Sequence, residues 1–141
     1  EALKWANNPN SFRGSNTMVR NQYSKMAAMI YENSREDSTL AASGMMQVLY
    51  PLTELLPPTF ELSNLRILHL KNNEDEEKII KSIMKYRPTL IVTTAWTPGE
   101  IILSEVIGKI DIYEKVGNIP LNPKINYGWK SGIIYRLKDF N

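Results

Sequence analysis

The stretch Thr89-Leu90-Ile91-Val92-Thr93-Thr94-Ala95 decides how this sequence is read. Its residues are β-branched or apolar at consecutive positions rather than alternate ones. Such continuity marks a strand buried on both faces, the central kind found in α/β sheets. Pro88 precedes it, and a proline there closes whatever helix lies upstream. After it comes Thr97-Pro98-Gly99-Glu100, which opens a helix: Thr as N-cap, Pro at the first helical position and Glu at the third. Ile101, Ile102, Val106 and Ile107 continue that helix, and Gly108 ends it.

Working toward the amino terminus, 73–88 reads as a second helix. Asn73 and Glu76 form a capping-box pattern, and Glu74, Asp75, Glu76 and Glu77 crowd the first turn, where the helix dipole favours negative charge. Ile79, Ile80, Ile83 and Met84 are its apolar stripe. Residues 65–70 form a strand candidate that carries His69. Pro57-Pro58 blocks helix, and 45–50 is a helical turn stopped by Pro51. Residues 38–43 read as a short buried strand ending at Gly44. Val19, Tyr23, Met26 and Ile30 fall on one face of a helix capped by Ser15 or Asn16 and ended by Asn33-Ser34. Residues 1–15, with Asn7-Asn8-Pro9-Asn10 and Arg13-Gly14-Ser15, are an irregular lead-in.

Toward the carboxyl terminus, 110–116 reads as a strand by alternation, with Ile110, Ile112 and Glu114 opposite Asp111, Tyr113 and Lys115. Residues 117–128 are a loop, and 132–137 a last strand antiparallel to its predecessor. Helices alternating with strands predict an α/β fold. The expected architecture is a three-layer Rossmann-like sandwich with a mostly parallel sheet and an antiparallel C-terminal edge strand. Residues 1–141 form one domain.

Composition narrows the function by exclusion. A hydrophobic fraction of 43% with 23% charged residues is that of a globular chain, not a disordered one. A formal net charge of +2 gives no argument for a nucleic-acid partner. No apolar run reaches the roughly 18 residues that a membrane helix needs. With no cysteine there is no disulfide, thiolate metal site or cysteine nucleophile, and His69, the sole histidine, reads as a strand residue. No catalytic, cofactor-binding or metal-binding residue is assigned.

Ligands of open parallel sheets sit beyond the carboxyl ends of the strands. Here those ends carry Ser43-Gly44, Lys71-Asn72 and Ala95-Trp96-Thr97. A lone Gly44 lacks the partners of a phosphate-binding glycine loop, since Met45, Met46 and Val48 follow. Trp96, and Tyr127 and Trp129 around Gly128, are candidates for carbohydrate or partner contact, because aromatic rings stack on the CH faces of sugars. The same rings could instead close the core.

The run Ala27-Ala28-Met29-Ile30-Tyr31-Glu32-Asn33-Ser34-Arg35-Glu36-Asp37-Ser38-Thr39-Leu40 resembles a passage of bacterial membrane glycosyltransferases of the dolichyl-phosphate-mannose protein mannosyltransferase-like group. Leu49-Tyr50-Pro51-Leu52-Thr53-Glu54-Leu55-Leu56-Pro57-Pro58-Thr59-Phe60 is similar to another of its phrases, as are Tyr86-Arg87-Pro88-Thr89-Leu90-Ile91-Val92 and Tyr127-Gly128-Trp129 with Ile134-Tyr135-Arg136. The resemblance implies a soluble α/β domain at the C-terminus of a protein whose membrane helices come first. It would face the extracytoplasmic, periplasmic side of a bacterial membrane. The catalytic acid would lie on an early loop, outside this chain. The parent would transfer a sugar from a polyprenyl-phosphate carrier to a lipid, glycan or protein acceptor. The partners implied are the membrane-embedded part of the same polypeptide and a glycan or lipid-linked sugar acceptor. Beside this expectation stand two others, a free-standing Rossmann-like enzyme binding a nucleotide or S-adenosylmethionine, and a protein-interaction module.

Overall fold

A computed structural model describes residues 17–63, 73–94, 98–120 and 131–138. The described chain is an α/β fold around a four-stranded sheet. In chain order the elements are α1 (Thr17–Glu32), β1 (Leu40–Ala42), a 3-10 turn (Gly44–Val48), α2 (Leu49–Thr53), a second 3-10 turn (Glu61–Ser63), α3 (Asn73–Tyr86), β2 (Leu90–Thr94), α4 (Pro98–Lys109), β3 (Tyr113–Pro120) and β4 (Ser131–Leu137). Across the sheet the order is β1-β2-β4-β3.

The central-strand reading holds. All five residues of β2 are buried, with β1 on one side and β4 on the other. Alternate residues feed two cores, as the two-residue repeat of a strand dictates. Leu90 and Val92 join Leu40, Ala42 and Ile134 beneath Tyr23, Met26 and Ile30 of α1 and Leu49 and Leu52 of α2. Ile91 joins Ala41 and Tyr135 against Ile79 and Ile83 of α3 and Leu103, Val106 and Ile107 of α4.

The expectation of a mostly parallel sheet is corrected. Only β1 with β2 is parallel, while β2–β4 and β3–β4 are antiparallel. The physical reason lies in β4, the last strand, which inserts between β2 and β3 rather than adding at an edge. The edge position expected for it is taken by β3. The antiparallel β3–β4 pairing is as read.

The outer side of β1 is closed as well. Leu40 N–H donates to the Leu56 carbonyl at 3.0 Å, and Ala42 N–H donates to the Tyr50 hydroxyl at 3.0 Å. Both N–H groups of β1 that point away from β2 are therefore used. The strand candidate at 65–70 and the caps at Ser15, Asn16 and Thr97 lie outside the described residues.

Two local differences have simple causes. Pro51 does not stop the turn at 45–50. It is the third residue of α2, where its missing N–H would have had no helical partner anyway. The helix ends instead at Glu54, in the left-handed region at φ 58°. On β3 the strand begins later than read, because Ile110 N–H still bonds back to Val106 and Ile107 at the end of α4. The buried side of β3 is therefore reversed at its start: Tyr113 is buried and Glu114 is half-buried.

Candidate functional site

Trp96, Tyr127 and Trp129, the aromatic candidates, and His69 lie outside the described residues. What the structure does describe is the carboxyl edge of the β1–β2 pair, where the sequence places Ser43-Gly44 and the end of the central strand. Ser43 is extended (φ −89°, ψ 142°), so the strand alternation of β1 runs through it. Its N–H donates to the Val92 carbonyl at 3.0 Å, one step beyond the Ala42–Val92 pair. This sets Ser43 beside Thr93 on the adjoining strand, at the usual spacing of about 4.8 Å. By alternation both side chains belong to the face of Ala41 and Ile91, the face covered by α3 and α4. Thr94 turns to the opposite face.

The three hydroxyls share an unusual condition. Ser43 Oγ, Thr93 Oγ1 and Thr94 Oγ1 are buried and have no hydrogen-bond partner. Ser43 precedes a 3-10 turn yet makes no capping bond with its side chain. A buried hydroxyl left unpaired costs about 1–3 kcal/mol, so native folds seldom keep one without a reason. Sequence reading placed Ser43 at a strand end without assigning it a role. It missed Thr93 and Thr94, which look like ordinary β-branched strand residues.

α4 brings a second feature to this edge. It follows β2 after three residues, and its far end leads into Tyr113 of β3. Tyr113 pairs with Leu137, and Leu137 N–H bonds the Thr89 carbonyl at the amino end of β2. The helix therefore runs from the carboxyl edge of β2 back to its amino edge, and its positive amino end lies at the edge that holds Ser43 and Thr93.

The remaining polar contacts hold the fold. The Tyr50 hydroxyl accepts from Ala42 N–H and donates to the Ser63 carbonyl at 2.7 Å. Burial pushes its pKa up to about 12, with the Ala42 bond pulling slightly the other way. The Tyr113 hydroxyl donates to the Pro88 carbonyl at 2.6 Å, and burial raises its pKa further, against the attraction of Arg87. Arg136 on β4 ties three elements together. One nitrogen meets Asn33 Oδ1 at 2.8 Å, after the end of α1, and the other meets Glu114 Oε1 at 2.6 Å on β3. Among the described residues no group of three or more His, Cys, Asp or Glu could hold a metal ion.

An open groove of about 450 Å³ runs between α1 and β3, lined by Lys25, Ala28, Met29, Glu32, Asn118, Ile119 and Pro120. Lys25 and Glu32 are the charged residues of its lining. No ion pair between them is formed.

Comparison with protein-family models, with curated proteins and with solved structures returns no match for this chain.

Proposed function

We propose that this chain is a non-catalytic α/β domain of a membrane glycosyltransferase that moves a sugar from a polyprenyl-phosphate carrier to a lipid, glycan or protein acceptor. The reading starts from the resemblance of its phrases, and one structural observation carries it. In the phrase Leu49-Tyr50-Pro51-Leu52-Thr53, Leu49 and Leu52 are fully buried, and Thr53 Oγ1 donates to the Leu49 carbonyl at 2.6 Å. Tyr50 spends its hydroxyl on the edge of β1. Leu56, later in the same phrase, holds the other outward N–H of that strand. Its residues thus do the work of packing and edge closure, as a phrase shared for its fold would. They offer no nucleophile or acid–base pair to a substrate.

The Rossmann-like description belongs to the same proposal. Its support is the parallel β1–β2 pair with helical elements over both faces. The domain would stand on the extracytoplasmic side of a bacterial membrane, against the membrane-embedded part of its own polypeptide. None of the described helices is long and apolar enough to cross a membrane, so anchoring would fall to other parts of the parent.

The test is a transfer assay with a radiolabelled polyprenyl-phosphate sugar. Membranes bearing the parent protein should label an acceptor, and the isolated chain should label none. Transfer by the isolated chain would refute the non-catalytic reading. Membranes that stay inactive with every polyprenyl-linked donor would refute the transferase assignment.

A further inference from the structure

We propose that the groove between α1 and β3 docks a second copy of this chain, whose own α1 lies antiparallel against the first across a two-fold axis. The helix wall of the groove is Lys25, Ala28, Met29 and Glu32. These positions follow i, i+3, i+4 and i+7, so they form one stripe along α1. Lys25 and Glu32 stand two turns apart, about 10.5 Å along the helix axis. Both are exposed, and neither side chain has an ion-pair or hydrogen-bond partner among the described residues. The residues three and four along the stripe from each charge are Ala28 and Met29, which offer no countercharge.

A stripe with a cation at one end and an anion at the other is its own complement when reversed. A two-fold axis midway between Ala28 and Met29 sets Lys25 of each copy against Glu32 of the other, and Ala28 of each against Met29 of the other. Every contact is made twice: two ion pairs at the rims, and a small side chain facing a large one on either side of the axis. Ala28 and Met29 are half-buried in the single chain, and docking covers the apolar surface they leave open. The strand wall of the groove explains why the contact runs through the helix and not by extending the sheet. β3 is the outer strand on its side, but a bulge between Lys115 and Gly117 breaks its register, and Pro120 at its end has no N–H to offer. A net charge of +2 sets up little repulsion between two copies. One such stripe is a small contact beside the roughly 800 Å² per partner of a standard interface, so the association is weak and reversible. The proposal does not depend on the transferase reading.

The experiment is sedimentation equilibrium of the chain from micromolar to millimolar concentration. A reversible dimer is expected, weakened by added sodium chloride because both ion pairs lie at exposed positions. Lys25→Glu sets Glu against Glu at both rim contacts, and Glu32→Lys sets Lys against Lys. Each variant alone should raise the dimer dissociation constant about tenfold or more. Because both positions are exposed, the circular dichroism and unfolding temperature of each variant should match those of the unaltered chain. An equimolar mixture of the two variants should dimerise again, since across that mixed pair both contacts join a Glu to a Lys. The proposal is overturned by an unaltered chain that stays monomeric at millimolar concentration, which would leave the groove to a different partner. It is equally overturned by single variants that dimerise as well as the unaltered chain, or by a mixture that stays monomeric.

Discussion

Tyr50 does two jobs with one oxygen. It accepts from Ala42 on the outer side of β1 and donates to Ser63 thirteen residues along the chain. Tyr50→Phe leaves a strand N–H and a carbonyl unpaired together, and should cost about 1–3 kcal/mol in urea unfolding. Tyrosines also set the alkaline limit of the fold. Burial raises the pKa of Tyr23, Tyr50 and Tyr113 above the usual value of 10.0, to about 12 for Tyr50. Above about pH 10 the unfolded chain releases these protons while the folded chain keeps them. The folded state then binds more protons, so stability falls as pH rises. It should be level below about pH 9 and decline steadily from about pH 10, as unfolding temperatures across that range would show. Tyr113→Phe should reduce the slope. None of this was legible beforehand. Tyr50 stood out only as a letter in a recurring phrase, and a hydroxyl that reaches Ser63 leaves no mark in local spacing.

At the scale of elements, apolar repeats were a good guide wherever an element packs its own face. Tyr23, Met26 and Ile30 line α1, and Ile79 and Ile83 line α3, as their spacing required. Met84 was assigned to the stripe of α3 but is 39% exposed, since α3 covers the sheet with a narrower face than the sequence implies. The start of β3 was misplaced for a different reason. Ile110 is apolar whether it ends a helix or starts a strand, and alternation cannot tell the two apart. The bulge between Lys115 and Gly117 was equally invisible, because one inserted residue shifts the pairing without changing composition. It brings Gly117 against Met29, while Gly132 on β4 lies against Met26. A Cβ at either glycine would overlap the methionine. Met26 is fully buried and Met29 only partly, so Met29 has more room to give way. Gly132→Ala should therefore destabilise by about 1–3 kcal/mol, and Gly117→Ala by less. Urea midpoints of the two variants would check the order.

At the scale of the whole molecule, the α/β class and the buried β2 followed from local signals: continuous apolar residues flanked by helix-closing and helix-opening motifs. The strand order did not. Placing β4 between β2 and β3 is decided by long-range pairing, which no window of sequence contains. The strand ends were legible by position, Ser43-Gly44 among them, but no site was assigned there; that Ser43, Thr93 and Thr94 carry buried hydroxyls without a partner shows only once their surroundings are assembled. The larger claim concerns what this fold belongs to. In one of the phrases that resemble a membrane glycosyltransferase, Leu49 and Leu52 pack the core and Tyr50 and Leu56 close the edge of β1; the proposed reading takes this as a phrase kept for its fold. That claim is tested most directly by reading the coding sequence upstream of Glu1 and counting apolar spans of about 20 residues. The account predicts many such spans, with an Asp- or Glu-bearing loop after the first. A start codon within a few residues of Glu1 would contradict it.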